Sequence, residues 1–431
     1  MHAKTHLLIR QARIIDPSTQ RDEVADLLIE EGRISRIGAS LDGRGASIFN
    51  AEGLWLLPGL VDTCVHLPEP GHHRAGTIAT ETQAAAAGGI THFAVPPDTD
   101  PVADTTAVIR LIRERATQTA LARVLPLGAL TQGLAGQQLA EMQTLKEAGC
   151  IGVSNAGYPV ANALILKRSL EYAATFDIPV MFRPQDASLS QGGCAHDGHV
   201  ATHLGLPGIP SVAESLDMAR ILHLVEHTGV RAHFFQLSTQ EAVELLRQAK
   251  AKGLPITADV CVHHLLLDES AVEHFNSQCR IDPPLRSQQD RQALVEAVAD
   301  GTIDAICSQH KPLGSSAKLA PFPATKPGIS GLETLLPLVM KLVNEGALPL
   351  SRALDALTRA PAACLGINAG HLEAGRRANI CLIEPEGTRL PRAQWQSAGQ
   401  NSPWIDTELP SKQVLTITDG RITWGEENLS S

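Results

Sequence analysis

Aromatic side chains are scarce in this 431-residue chain: eight Phe, four Trp and two Tyr make up 3% of it. Its core must then be filled by Ala, Leu, Val and Ile, as in α/β barrels, whose inward layers are mostly branched aliphatics. Positive charge is also short, with 36 Lys and Arg against 46 Asp and Glu and a formal net charge of −10. That balance argues against a nucleic-acid partner and for small molecules or proteins. No run of about 18 apolar residues occurs, and the opening MHAKTHLLIRQARIID lacks the apolar segment of a signal peptide. A cytoplasmic protein with no membrane partner is expected. The eight cysteines, Cys64, Cys150, Cys194, Cys261, Cys279, Cys307, Cys364 and Cys381, contain no C-x-x-C pair and are expected to be free thiols. Of these, Cys150, Cys261, Cys307 and Cys381 sit in apolar, strand-like runs and read as core residues.

What is present is a globular composition, 43% hydrophobic and 19% charged, which excludes disorder. The length suits a (β/α)8 TIM barrel with a small second domain. Eight short apolar runs appear in order: GLVDTCVHL, THFAVPP, RVLPLGAL, CIGVSNAG, IPVMFRP, RAHFFQLS, ITADVCV and IDAICSQH. Helical stretches that often close on Gly separate them, the pattern of a parallel α/β barrel over residues 56–371. Residues 1–55 and 372–431 alternate polar and apolar positions between Asp, Gly and Pro turns. They are expected to meet in one composite β-sandwich. The polar segment 314–328 reads as a mobile loop over the barrel mouth.

Function in a barrel is read at the C-terminal ends of its strands. There the chain carries PGLVDTCVHLPEPG (58–71), VPPDTDP (95–101), AGCIGVSNAG (148–157), HFFQLST (233–239), VCVHHLLL (260–267), RIDPPLR (280–286), IDAICSQHKP (303–312) and KPGISGLET (326–334). In order and spacing these segments resemble the dihydroorotase branch of the amidohydrolase superfamily. The resemblance implies an amidohydrolase-type barrel that holds one or two Zn²⁺ at its mouth and opens or closes a cyclic amide. Imidazoles and a bridging carboxylate would hold the metals, the metals would acidify a water, and a late-strand Asp would carry its proton.

Position by position, this chain departs from that pattern. Asp62 and His66 fit the opening Asp-x-His-x-His-x-Arg motif, but Cys64 stands at its first His and Pro68 at its Arg. Asn155 replaces the bridging carboxylate, Arg183 the fifth-strand His, Gln236 the sixth-strand His, and Gln309 the catalytic Asp. Asp98 and Asp282 stand where the family uses Asn to grip its substrate, so an anionic substrate should be repelled. Turn and packing residues such as Glu69, Pro70, Gly71, Ser238, Thr239, Pro283, Pro284, Gly331 and Glu333 are kept. A glutamine cannot accept the proton, and loss of a positioned base costs roughly 10²–10⁴ in rate. An arginine offers a metal no lone pair and repels it. No bound metal or cofactor is therefore expected.

The resemblance further implies a role, because inactive members of this family occur as noncatalytic subunits of aspartate transcarbamoylase in de novo pyrimidine synthesis. The expected partners are that enzyme's catalytic subunit and further copies of this chain. Two alternatives stand beside it. One is a cyclic-amide hydrolase with a rebuilt mononuclear site at Cys64, His66 and His310. The other is a small-anion sensor using Arg183 and Lys311. For the remaining clusters the plainer readings are a surface loop for His196, His199 and His203, a mouth loop for His72 and His73, hydrogen-bonded wall residues for His263, His264 and His310, and a solvated loop lysine for Lys311.

Overall fold

The protein is described by a computed structural model covering residues 6–43, 45–389 and 391–425. Barrel strands lie in each of the eight apolar runs: Leu60–Asp62, Ile90–Val95, Arg123–Pro126 with Gly128–Ala129, Val153–Ser154, Val180–Phe182, Ala232–Phe234, Ile256–Cys261 and Ala305–Cys307. All neighbouring pairs among them are parallel. Leu127 N–H donates to the Val95 carbonyl and carries the third strand across its break. The ring closes where Ser308 N–H donates to Asp62 and His66 N–H donates to the His310 carbonyl. Strands buried on both faces read as continuous apolar runs. Alternate residues point to opposite sides: Phe93, Val180 and Phe234 pack outward under the helices, while Ala94, Met181 and Phe235 fill the inside. Each such aliphatic or aromatic side chain contributes roughly 1.5–3 kcal/mol on burial.

The chain ends meet as expected. Strands Leu7–Asp16, Arg21–Glu30, Arg33–Gly38, Ser47–Asn50 and Trp55–Pro58 join Ile380–Arg389, Leu409–Thr418 and Arg421–Trp424 in one eight-stranded sheet. Trp55–Pro58 is the seam, parallel to Leu7–Asp16 and antiparallel to Ile380–Arg389. A separate core of Leu7, Ile9, Ile29, Leu56, Ile380, Leu415 and Ile417 is enclosed there. Two hairpin turns, Glu31-Gly32 and Asp419-Gly420, place both residues at positive φ, the twist a two-residue hairpin requires. The tips abut: a Cβ on Gly420 would lie 2.0 Å from Gly32 Cα, so a side chain there would push the two hairpins apart.

Three details differ from the sequence reading. Residues 395–404 leave the sheet and bind the barrel: Gln396 and Ser397 N–H donate to Glu333, Asn401 Nδ2 donates to the Lys311 and Gly328 carbonyls, and Trp404 Nε1 donates to His263. Segment 314–328 is pinned. It makes two 3-10 turns, Ser315–Lys318 and Phe322–Ala324, buries Phe322, and has its Phe322 and Thr325 carbonyls held by Arg280. His199–Leu204 is a helix that stacks His199 on His203. Gly205 at its C-cap, in the left-handed conformation, is the signal that separates it from a loop.

Candidate functional site at the barrel mouth

Six of the eight altered positions, Cys64, Asp98, Arg183, Gln236, Asp282 and Gln309, line one cavity of about 250 Å³ at the mouth, together with the retained His66. Strand ends and the loops that follow them bring these residues there, and the backbone is forced at two of them. Gln236 and Gln309 adopt φ of 55° and 50°, a left-handed conformation that costs a non-glycine residue about 1–2 kcal/mol. Asn155 lies behind the wall. Its amide is spent on Thr131 Oγ1, which donates to it at 2.7 Å, and on the Leu134 and Tyr158 carbonyls. Pro68 does not line the cavity, and its carbonyl accepts from His72 N–H.

Inside the cavity the polar groups pair with one another, leaving Arg183 Nε, Asp282 Oδ1 and Gln309 Oε1 buried without a hydrogen-bond partner among the described residues. Arg183 Nη1 lies 2.8 Å from Asp282 Oδ2 and also donates to the Asp282 carbonyl. Gln309 Nε2 donates to Gln236 Oε1 at 2.8 Å, and Gln236 Nε2 donates to Cys64 Sγ at 3.0 Å. His66 Nδ1 meets the Asp98 carboxylate at 3.2 Å. Burial opposes ionisation of Asp98, but the neighbouring His66 and Lys311 hold its carboxyl well below the usual range. Asp282 is lowered in the same way, against burial, by Arg183 and Lys311. Both acids are thus ionised but answered by cations, which corrects the expectation of two repelling charges. Lys311 lines the cavity and is not a merely solvated loop lysine, since its charge favours both acids.

Behind these groups stands a frame of buried carboxylates. Asp62 accepts from Cys64 and Ser308 N–H, and burial pushes its carboxyl up to about 7. Asp259 takes Gln236 N–H at 2.7 Å, His233 Nε2 at 3.0 Å and the Thr63 hydroxyl. Glu81 holds His310 Nε2 at 2.9 Å and the Ser397 hydroxyl at 2.6 Å, while Gly331 N–H donates to His310 Nδ1. Glu214 accepts from the N–H groups and hydroxyls of Ser238 and Thr239. Sequence reasoning missed Glu81, Glu214 and Asp259. The available signal was an acid set in an otherwise apolar or alanine-rich stretch.

These residues do not fit a zinc ion. A thiolate, not a thiol, binds zinc, and burial drives the Cys64 thiol well above its ordinary value. Arg183 brings a fixed positive charge, and Gln236 and Gln309 bring amides bound to each other. Among the described residues, no three His, Cys, Asp or Glu side chains are grouped to hold a metal ion. The rebuilt trio is not assembled either: both ring nitrogens of His310 are engaged, with Glu81 and Gly331, and His310 does not line the cavity. His264 Nε2 sits at the Pro283 and Pro284 carbonyls, and His263 accepts from Trp404, the wall roles expected of them. No helix among the described residues is long and apolar enough to cross a membrane.

Relatives share this architecture. The profile of the dihydro-orotase-like family matches residues 53–242. A "dihydroorotase-like protein" of Pseudomonas aeruginosa is 48% identical over 416 residues, covering 96% of this chain and 98% of the relative. A protein named dihydroorotase in Syntrophotalea carbinolica is 43% identical, covering 97% and 99%. Among solved structures, an L-hydantoinase (dihydropyrimidinase) from Arthrobacter aurescens superposes with a TM-score of 0.88 at 22% identity, covering 97% and 96%, which establishes a common fold. Dihydroorotases and hydantoinases are enzymes. By near-full-length identity to these relatives and by its TIM barrel with a composite β domain, the chain belongs to the dihydroorotase-like family.

Proposed function

We propose that this chain is a catalytically inactive, dihydroorotase-like structural subunit that assembles with aspartate transcarbamoylase in de novo pyrimidine synthesis, in the cytoplasm. One observation carries the loss of activity. Where the family places a zinc-binding His and a proton-carrying Asp, this mouth holds the Arg183–Asp282 ion pair and the Gln309–Gln236 amide pair. Neither can generate a hydroxide or take its proton, because an amide has no accessible protonation near neutrality and the guanidinium excludes the metal. The inactive reading keeps the fold and gives the barrel a use that needs no chemistry. Its partner follows from the family resemblance, in which inactive members are subunits of the transcarbamoylase.

Coexpression with the transcarbamoylase chain of the same organism tests the reading. Size-exclusion chromatography should give a single assembly larger than either protein alone, including more than one copy of this chain. Carbamoyl-aspartate formation should differ from that of the transcarbamoylase alone. Two proteins that elute and react together as they do apart would overturn the assembly, and dihydroorotate turnover by this chain would overturn the inactivity.

A further inference from the structure

Away from the mouth, where the barrel meets the composite sheet, the chain reverses its overall charge. Two adjoining clefts of about 550 and 260 Å³ share Arg123, Arg377 and Asp419 as common walls. The larger adds Arg113 and Arg421, and the smaller adds Arg33 and Arg376. Six guanidiniums thus face two lining carboxylates, Asp419 and Glu31, with Glu373 pairing Arg376 at 3.4 Å from outside the lining, in a protein whose formal net charge is −10.

The arginines come from both bodies. Arg113 lies on the helix Thr106–Thr119 and Arg123 opens the third barrel strand, whereas Arg33 and Arg421 lie on sheet strands. Asp419, at the tip of the Asp419-Gly420 hairpin, serves two of them: Arg123 Nε at 2.6 Å and Arg377 Nε at 3.8 Å. Arg33 and Arg113 donate to the Gly375 and Ala148 carbonyls, which leaves their charge uncompensated by those bonds. The guanidiniums of Arg123 and Arg377 are about half exposed, so they keep their charge and their remaining N–H groups for a ligand. Planar guanidiniums match phosphate oxygens in bidentate pairs, and several around one cleft suit a ligand with several phosphates. Alongside runs an apolar wall of Ala120, Leu121 and Val124.

We propose that this cleft is a binding site for an oligophosphate anion, which ties the barrel to the composite sheet. The shared chemistry is a chain of phosphates, free or carried on a nucleoside, with the apolar wall available to the nucleoside. Isothermal titration calorimetry of the full chain with inorganic tripolyphosphate, and separately with ATP, reads it. Saturable binding of one tripolyphosphate per chain is expected, with a rise in melting temperature. Arg377→Gln and Arg421→Gln should each weaken it about tenfold, the worth of one charged hydrogen-bonded contact. Arg247→Gln, on the helix Gln240–Ala251, should not change it. Tighter ATP binding would assign the apolar wall to a base, and equal affinity would assign the site to the phosphates alone. Absence of saturable binding for both probes, or an equal loss in the Arg247→Gln control, would overturn the proposal. These outcomes are independent of whether the barrel mouth is inactive.

Discussion

The barrel mouth and the frame of turns around it share strand ends but not fates. In the mouth, six cavity positions differ from the family's pattern, and their side chains pair with one another and with the retained His66. In the frame, Glu69 still accepts Ile78 N–H, Glu214 still gathers Ser238 and Thr239, and Glu333 still takes Gln396 and Ser397 N–H. Frame carboxylates are surrounded by donors that would be left buried and unpaired without them, so each supports the fold. The groups lining the mouth answer one another rather than the backbone donors of the frame, so the fold leans on them less. The left-handed backbone at Gln236 and Gln309 joins the two regions: strand ends that belong to the frame present both side chains to the cavity.

The contrast can be broken most forcefully in the frame. Glu214→Ala strands four donors and takes from Arg286 the acid that acts on it most strongly, so urea unfolding should show a loss of about 3–5 kcal/mol. A loss under about 1 kcal/mol would mean the frame is not what stabilises the barrel. In the mouth the costs should be smaller. Asp282→Ala should cost about 1–2 kcal/mol, since its carboxylate is a third exposed. A double-mutant cycle with Arg183→Ala should show the two losses to be less than additive; full additivity would dissolve the ion pair as a unit.

A subtler effect lies between the regions, at Asp62. Its carboxyl rises to about 7 in the folded chain against an ordinary value near 3.8. The folded state therefore binds the extra proton, and between about pH 4 and 7 stability falls as pH rises. Asp62→Asn, which keeps an acceptor for Cys64 and Ser308, escapes that fall. Its melting temperature relative to the parent should be nearly level at pH 4 and higher at pH 7.5, by an amount worth more than about 1 kcal/mol. A difference that does not vary with pH would place the proton elsewhere. The smallest effect expected is that of EDTA: the melting curve should be unchanged, because no frame contact requires a metal.

Much of this fold was legible in the sequence. Eight buried strands announce themselves as continuous apolar runs, and the cavity positions follow from motif order. What was not legible is pairing across distance. Arg183 and Asp282 are 99 residues apart, and only the barrel shows that each cancels the other's charge. Lys311 read as a loop lysine because sequence does not reveal which loop side chains turn into a cavity. Segment 314–328 read as mobile because its anchor, Arg280, is supplied from another loop. The arginine cleft was hidden by the acidic average, since its six guanidiniums are scattered from residue 33 to 421.

Zinc binding is the most direct measure of the contrast between mouth and frame. Equilibrium dialysis of the purified chain against zinc, with the metal counted by elemental analysis and dihydroorotate hydrolysis followed on the same sample, should give far less than one tightly held zinc per chain and no turnover. One or two zinc ions per chain, removed by chelator together with a measurable dihydroorotase activity, would contradict the account.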